Sequence, residues 1–345
     1  MRQAALLSGA VLVAAACAST PAAPAKSASP LARLRAATAE EARAVLGRSD
    51  AFTERMTPAD RSFRMKQPLP LTEAMMLRFA AAQARAWTAP ELAQLARARG
   101  QLEAALATRG LSLDAFLTDE VLVVKTTGAE EFGFPYTRQH AIVIPADRLG
   151  DPSSGLAMTL AHELWHIISR HAPALRDAAY AVIGTAPAPG FTIPIELAAR
   201  HTTNPDGVDV AFRTQVKFGD RAAWVMPLID FKTPGFTAGM AGSFMDWLEL
   251  RFLEMATDAS GAWQPVRDAS GALVVHAPGA TPFAPCYGMN TQEIVHPDEI
   301  AASSFALMVA PVPAASAPAT PALLEDLALL IADGAKHPPE VRCRY

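Results

Sequence analysis

Apolar residues at Leu156, Leu160, Leu164 and Ile167 recur at helical spacing, and the uninterrupted run around them, up to Pro173, predicts an amphipathic helix capped by Ser153 or Ser154. Ahead of it, Glu120–Lys125 and Ala141–Pro145 are short β-rich runs either side of a polar, glycine-containing link, and they read as two strands. Further upstream the pattern is helical over Leu31–Leu46 and Thr72–Trp87, followed by a helix opened by the capping box Thr88-Ala89-Pro90-Glu91 and ending near Gly110. Downstream, Ala174–Ile183 reads as a helix, and Thr203-Asn204-Pro205-Asp206-Gly207 as a turn. Val208–Lys217 and Ala223–Ile229 form an expected hairpin around Gly219-Asp220, and Trp263–Arg267 with Leu273–His276 a second one around Ala269-Ser270-Gly271. Ser243–Met255 between them is helical in pattern, as is Ala322–Ala332 near the end, and no internal repeat stands out. The fold class that follows is α+β, predominantly helical, with a small sheet and added hairpins.

The two ends change this picture. The chain opens MRQAALLSGAVLVAAACAST, with Arg2 and then an apolar run too short to cross a bilayer, which is the form of an export signal. Ala14-Ala15-Ala16-Cys17 resembles a bacterial lipobox with Ala in place of the usual Leu, so residues 1–17 read as a lipoprotein-type signal. Lipidation at Cys17 would anchor the protein to membrane in the periplasm or cell envelope; ordinary cleavage after Ala18 is the alternative. Residues 18–30, rich in Ala, Ser and Pro, read as a linker, residues 31–118 as a helical lobe, residues 119–310 as the region carrying the chemistry, and residues 311–345 as a Pro-rich link, a helix and a tail. The formal net charge of −4, with both signs interspersed and no basic patch among aromatics, argues against nucleic acid as a partner. With Cys17 set aside, Cys286 and Cys343 remain; in an oxidising compartment a disulfide between them and two unrelated buried thiols are equally good readings.

The chemistry is concentrated in His162-Glu163-Leu164-Trp165-His166. On a helix the two His stand one turn apart on one face, where both ring nitrogens can reach a single Zn2+ at about 2.0–2.1 Å. Glu163 lies beside them, placed to take a proton from an attacking water. The bland alternative is a buried helix whose His merely satisfy core hydrogen bonds. A catalytic zinc takes three protein ligands, so a third is needed. His171 follows His166 by five residues, one short of the metzincin spacing and without its glycine. Glu196 has no helical pattern around it. Glu299 is the better candidate, because Pro297 opens a helix that places Glu299 in its first turn, although an acid there, like Asp298, is also explained by the helix dipole alone.

HELWH with Ser169-Arg170-His171-Ala172-Pro173, then Thr203-Asn204-Pro205-Asp206, then Asn290-Thr291 and His296-Pro297-Asp298-Glu299-Ile300, resembles a family of exported bacterial zinc metalloprotease-like proteins over roughly residues 120–310. That resemblance implies a zincin-like fold of gluzincin type, with His162, His166 and Glu299 as metal ligands, Glu163 as general base and a peptide or protein as substrate. One departure stands out: relatives tend to carry an acid where this chain has Ser303, one turn beyond Glu299, and such an acid hydrogen-bonds a ligand His. The site is then either weakened, or served by another carboxylate such as Asp246 or Glu254. Tyr287, Asn290 and His296 are candidates to stabilise the oxyanion, and Ala141–Ile144 is a candidate edge for an extended peptide. The expected activity is zinc-dependent peptide-bond hydrolysis. The rivals are a catalytically weakened scaffold serving envelope binding or assembly, and a zinc amidase acting on cell-wall peptides.

Overall fold

The computed structural model describes residues 30–150, 155–310, 318–341 and 343. The export signal, nearly all of the linker, Ser153 and Ser154, and residues 311–317 lie outside them. Strand β1 (Leu34–Ala36) leads into helices α1 (Ala39–Leu46), α2 (Ala51–Arg55) and α3 (Pro58–Met65). Thr38, Asp50 and Thr57 open these helices, each side chain accepting a free first-turn amide. Helix α4 (Glu73–Ala82) and strand β2 (Ala84–Arg85) precede α5 (Ala89–Thr108), where Glu91 reaches back to the Thr88 amide at 2.7 Å as the capping box requires. Strands β3 (Val121–Thr126), β4 (Tyr136–Arg138) and β5 (Ala141–Pro145) come next, then α6 (Leu156–His171) and α7 (Pro173–Val182). The second half runs β6 (Thr185–Pro187), α8 (Ile195–Ala198), β7 (Phe212–Phe218), β8 (Arg221–Phe231), α9 (Phe244–Trp247), β9 (Leu248–Thr257), β10 (Trp263–Pro265), β11 (Val275–His276), α10 (Ala284–Tyr287), α11 (Pro297–Val309) and α12 (Pro321–Asp333). The chain is thus a mixed α+β protein, and no helix among the described residues is long and apolar enough to cross a membrane.

In the first sheet β1 and β5 flank β3 in parallel, β2 pairs with the far end of β3, and β4 closes the edge antiparallel to β5. Alternation along these strands splits their side chains between two cores. Val121, Val123, Ile142 and Ile144 pack with α5, α6 and α11, while Val124, Tyr136, Ala141 and Val143 pack with α1 and α4. Leu156, Leu160, Leu164 and Ile167 of α6 all enter the larger core, as their spacing predicts, and Trp165 is wholly buried against Phe305 of α11. Cys286 and Cys343 are joined, tying the C-terminal tail to α10.

The second sheet corrects two expectations. Ser243–Met255 is helical only at Phe244–Trp247; from Leu248 it is strand β9, paired with β8 from Phe231↔Leu248 to Trp224↔Met255. Tertiary pairing overrides the helical pattern, because Phe252 and Leu253 bury on opposite faces of the sheet and the interleaved charges find partners across strands, Arg251 with Asp230 and Glu254 with Arg221. The expected second hairpin is also rearranged: β10 and β11 both pair with β9, and the segments that link them meet at the Arg267↔Leu273 bridge. A five-residue repeat is visible there too, since Asp258-Ala259-Ser260-Gly261-Ala262 and Asp268-Ala269-Ser270-Gly271-Ala272 fold into the same Asp-capped turn. At the other end, Leu31–Leu46 is helical only from Ala39, because Leu34–Ala36 is drawn into the sheet beside β3.

Candidate metal centre

Helices α6 and α11 pack side by side and supply the reactive groups. From α6 come His162, Glu163 and His166; from the first turn of α11 come Asp298 and Glu299. Pro297 fixes the start of α11, and His296 caps it by accepting the Asp298 amide at 3.1 Å on Nδ1. That start aims both acids at α6. Glu299 Oε2 lies 3.1 Å from His162 Nε2 and 3.4 Å from His166 Nε2. Asp298 Oδ2 accepts from His166 Nδ1 at 2.7 Å and from Ser169 Oγ at 2.8 Å, and Oδ1 accepts from Trp165 and Tyr180.

A loop between the two sheets completes the surroundings. Asn204 Nδ2 donates to Glu299 Oε1 at 2.7 Å, leaving Oε2 to face the imidazoles. Asp206, two residues on, stands beside Glu163 and His166 and accepts from the amide of Thr137 on β4 at 2.8 Å. Arg170 donates to Thr137 Oγ1 and the Pro205 carbonyl, and buried Arg64 donates to the Thr203 carbonyl at 3.0 Å. Asp60 accepts from Thr202 Oγ1 and the Thr203 amide, so the loop is held by charged groups of α3 and α6.

Burial and close charges shift the titratable groups in this region in opposite directions. Burial pushes the Glu163 carboxyl up to about 8, and the Asp206 carboxylate adds to that. Burial lowers His166, but the charges of Asp206 and Glu299 and the hydrogen bond to Asp298 hold it well above the ordinary histidine value. For Glu299 and Asp298 burial acts upward, and the neighbouring imidazoles outweigh it and hold both acids low. Four acidic side chains, Glu163, Asp206, Asp298 and Glu299, crowd the two imidazoles, and the ring nitrogens and carboxylate oxygens among them are the donor types a metal ion takes.

The residues fit zinc. The donors of His162, His166 and Glu299 all lie within 4.8 Å of one another. Three ligands around a tetrahedral ion at about 2.0–2.1 Å stand roughly 3.4 Å apart, close to the 3.1 and 3.4 Å separations found here. His166 Nε2 is buried without a hydrogen bond, as is Glu163 Oε2, and the proton on His166 Nδ1 leaves the Nε2 lone pair free to ligate. A second triplet, Glu163, His166 and Asp206, also lies within 4.8 Å but shares His166 and has only one imidazole, a poorer match to zinc.

The other expected residues lie elsewhere. Glu196 is exposed and pairs with Arg267, and His171 stacks on His140. Asp246 caps α9 through Ser243, and Glu254 binds Arg221 and His276, so neither replaces the acid expected at 303. Tyr287 is buried against Thr214, and His296 is occupied as a cap and by the Asp209 carbonyl, so neither is free to hold an oxyanion; Asn290 lines the cavity but bonds to Thr320. Ala141–Ile144 is no edge: β5 is flanked by β3 and β4, and the outward amide of β4 at Thr137 is taken by Asp206. The roles of Asp298, Asn204 and Asp206 were not apparent from sequence; the Asn-Pro-Asp turn was visible, but not its return to the two helices.

His162, Glu163 and Glu299 open onto a cavity of about 860 Å³ whose walls include Phe134, Phe244 and Leu307. No protein-family model matches the chain, and comparison with curated proteins and with solved structures gives no match either.

Proposed function

We propose that this protein is an exported zinc metallopeptidase of the gluzincin type, lipid-anchored through Cys17, with a zincin-like arrangement of sheet, motif helix and glutamate helix. The observation that carries the reading is the convergence of His162 Nε2, His166 Nε2 and Glu299 Oε2 at the wall of a large cavity, with Glu163 beside them. Zinc bound there would polarise the scissile carbonyl and make water a better nucleophile. Glu163 takes a proton from the attacking water and returns it to the leaving amine, a task for a buried carboxyl that stands beside the imidazoles with one oxygen free of hydrogen bonds. Asp298 keeps the His166 proton on Nδ1, and Asn204 holds one oxygen of Glu299 so that the other faces the ion. A buried acid, Asp298, contacts one of the two proposed ligand His, His166, whereas position 303 beside His162 is Ser; a catalytically weakened scaffold is the alternative reading that this leaves.

The deciding experiment is the zinc content of the purified protein beside Glu299→Ala and Glu196→Ala. About one zinc per chain, kept in Glu196→Ala and lost in Glu299→Ala, is the expected result. Zinc retained by Glu299→Ala would move the third ligand, and no zinc after reloading would remove the proposal. Glu163-dependent cleavage of protein and muropeptide mixtures then separates a peptidase from an amidase of cell-wall peptides.

A further inference from the structure

We propose that Glu293, acting through the hydroxyl of Ser303, positions His162 for metal binding; this rests on the zinc site proposed above. Ser303 lies one helical turn after Glu299 on α11, so both face the same imidazole from one side. Glu299 Oε2 meets Nε2 of His162, and Ser303 Oγ lies 3.5 Å from Nδ1. The same hydroxyl donates to Glu293 Oε2 at 2.9 Å.

The direction of that hydroxyl proton is the point of the arrangement. A serine beside an imidazole is ambivalent: it can accept from Nδ1–H or donate to a bare Nδ1. Donation would place the ring proton on Nε2 and block the atom that must ligate. Glu293 is an acceptor only, so it claims the Ser303 proton and turns the oxygen lone pair toward Nδ1. His162 then carries its proton on Nδ1 and presents a free lone pair at Nε2, the state His166 reaches through direct contact with Asp298. The two ligands are therefore held unequally. His166 is fixed by a buried carboxylate, whereas His162 is fixed through a neutral hydroxyl by a carboxylate on the exposed segment before α11. The acid missing at position 303 is thus supplied from position 293, ten residues earlier in the chain.

The test is zinc affinity of the full-length protein by chelator competition, read for wild type, Glu293→Ala, Ser303→Ala, the double variant, and Ser303→Asp placed in the Glu293→Ala background. Glu293→Ala should weaken zinc binding by about tenfold, the low end for an outer partner of a ligand because this one is exposed and indirect. The same change in Ser303→Ala should do nothing further, since the relay is already cut. Ser303→Asp should restore affinity to the Glu293→Ala protein by supplying an acceptor-only group at the relay position. Equal affinity of wild type and Glu293→Ala, or additive effects in the double variant, overturns the relay while leaving the zinc site standing. A wild-type protein that takes no zinc overturns the site and the relay together.

Discussion

His166 donates its Nδ1 proton to Asp298 Oδ2 at 2.7 Å, with both side chains about 1 % exposed. Trp165, Ser169 and Tyr180 donate to the same carboxylate, so Asp298 is at once a partner of a proposed metal ligand and a structural junction between α6, α7 and α11. Asp298→Asn should weaken zinc binding by about 10- to 100-fold, because the amide removes the charge that makes His166 more basic. Asp298→Ala should in addition lower stability by about 3–5 kcal/mol, since it strands buried donors and an unpaired imidazole. Chelator competition and urea denaturation of the metal-free protein read the two effects separately. Unchanged zinc affinity in Asp298→Asn would contradict the role given to this acid.

Glu163 is buried, its Oε2 makes no hydrogen bond, and it lies outside the convergent donor set of His162, His166 and Glu299. Glu163→Gln should therefore keep its zinc and lose turnover by about 100- to 10,000-fold, the range for removing a positioned general base. Metal analysis and peptide cleavage on the same sample check both halves. A variant that loses zinc would make Glu163 a ligand and favour the triplet with Asp206.

How much of this was legible in sequence depended on whether the relationship is local. The pairing of His162 with His166 is written in a four-residue spacing, and the placement of Glu299 in a first turn is written in Pro297. The dual role of the next-door residues was not, because Asp298 and Glu299 look alike to a helix dipole and are told apart only by which atom of His166 each meets. β9 is ambiguous in sequence for a similar reason: Leu248, Phe252 and Met255 suit a helical stripe, and only pairing with β8 shows that Phe252 and Leu253 bury on opposite faces. Asn204 sits in a recognisable turn, yet the bond that matters spans 95 positions to Glu299.

The Cys286–Cys343 bond closes a loop with a sequence separation of 57. That loop contains α11 and hence Asp298 and Glu299. Chain-entropy arguments for a loop of this size give about 4 kcal/mol, and measured effects usually fall at about 2–4. Cys343→Ser should lower the stability of the oxidised protein by that amount, and reducing agent should lower wild type to match it. Urea midpoints with and without reductant test this; a variant as stable as oxidised wild type would show that the tail contributes nothing to the fold.

Arg64 is buried between two acids, donating to Glu131 through two nitrogens at 2.8 Å each and to Asp60. One guanidinium cannot neutralise both carboxylates. Burial, with Asp60 and Asp206 adding to it, outweighs Arg64 and pushes Glu131 up to about 7 from the ordinary 4.5. The folded protein therefore binds this proton more tightly than the unfolded chain does. Its contribution to stability is complete below pH 4.5 and is lost as pH rises through about 7, with a slope of up to about 1.4 kcal/mol per pH unit between them. Glu131→Gln should flatten that part of the stability profile relative to wild type, measured by urea denaturation of the metal-free protein at steps across the window. Identical profiles for wild type and Glu131→Gln would show that Arg64 is shared evenly and that Glu131 stays ionised throughout.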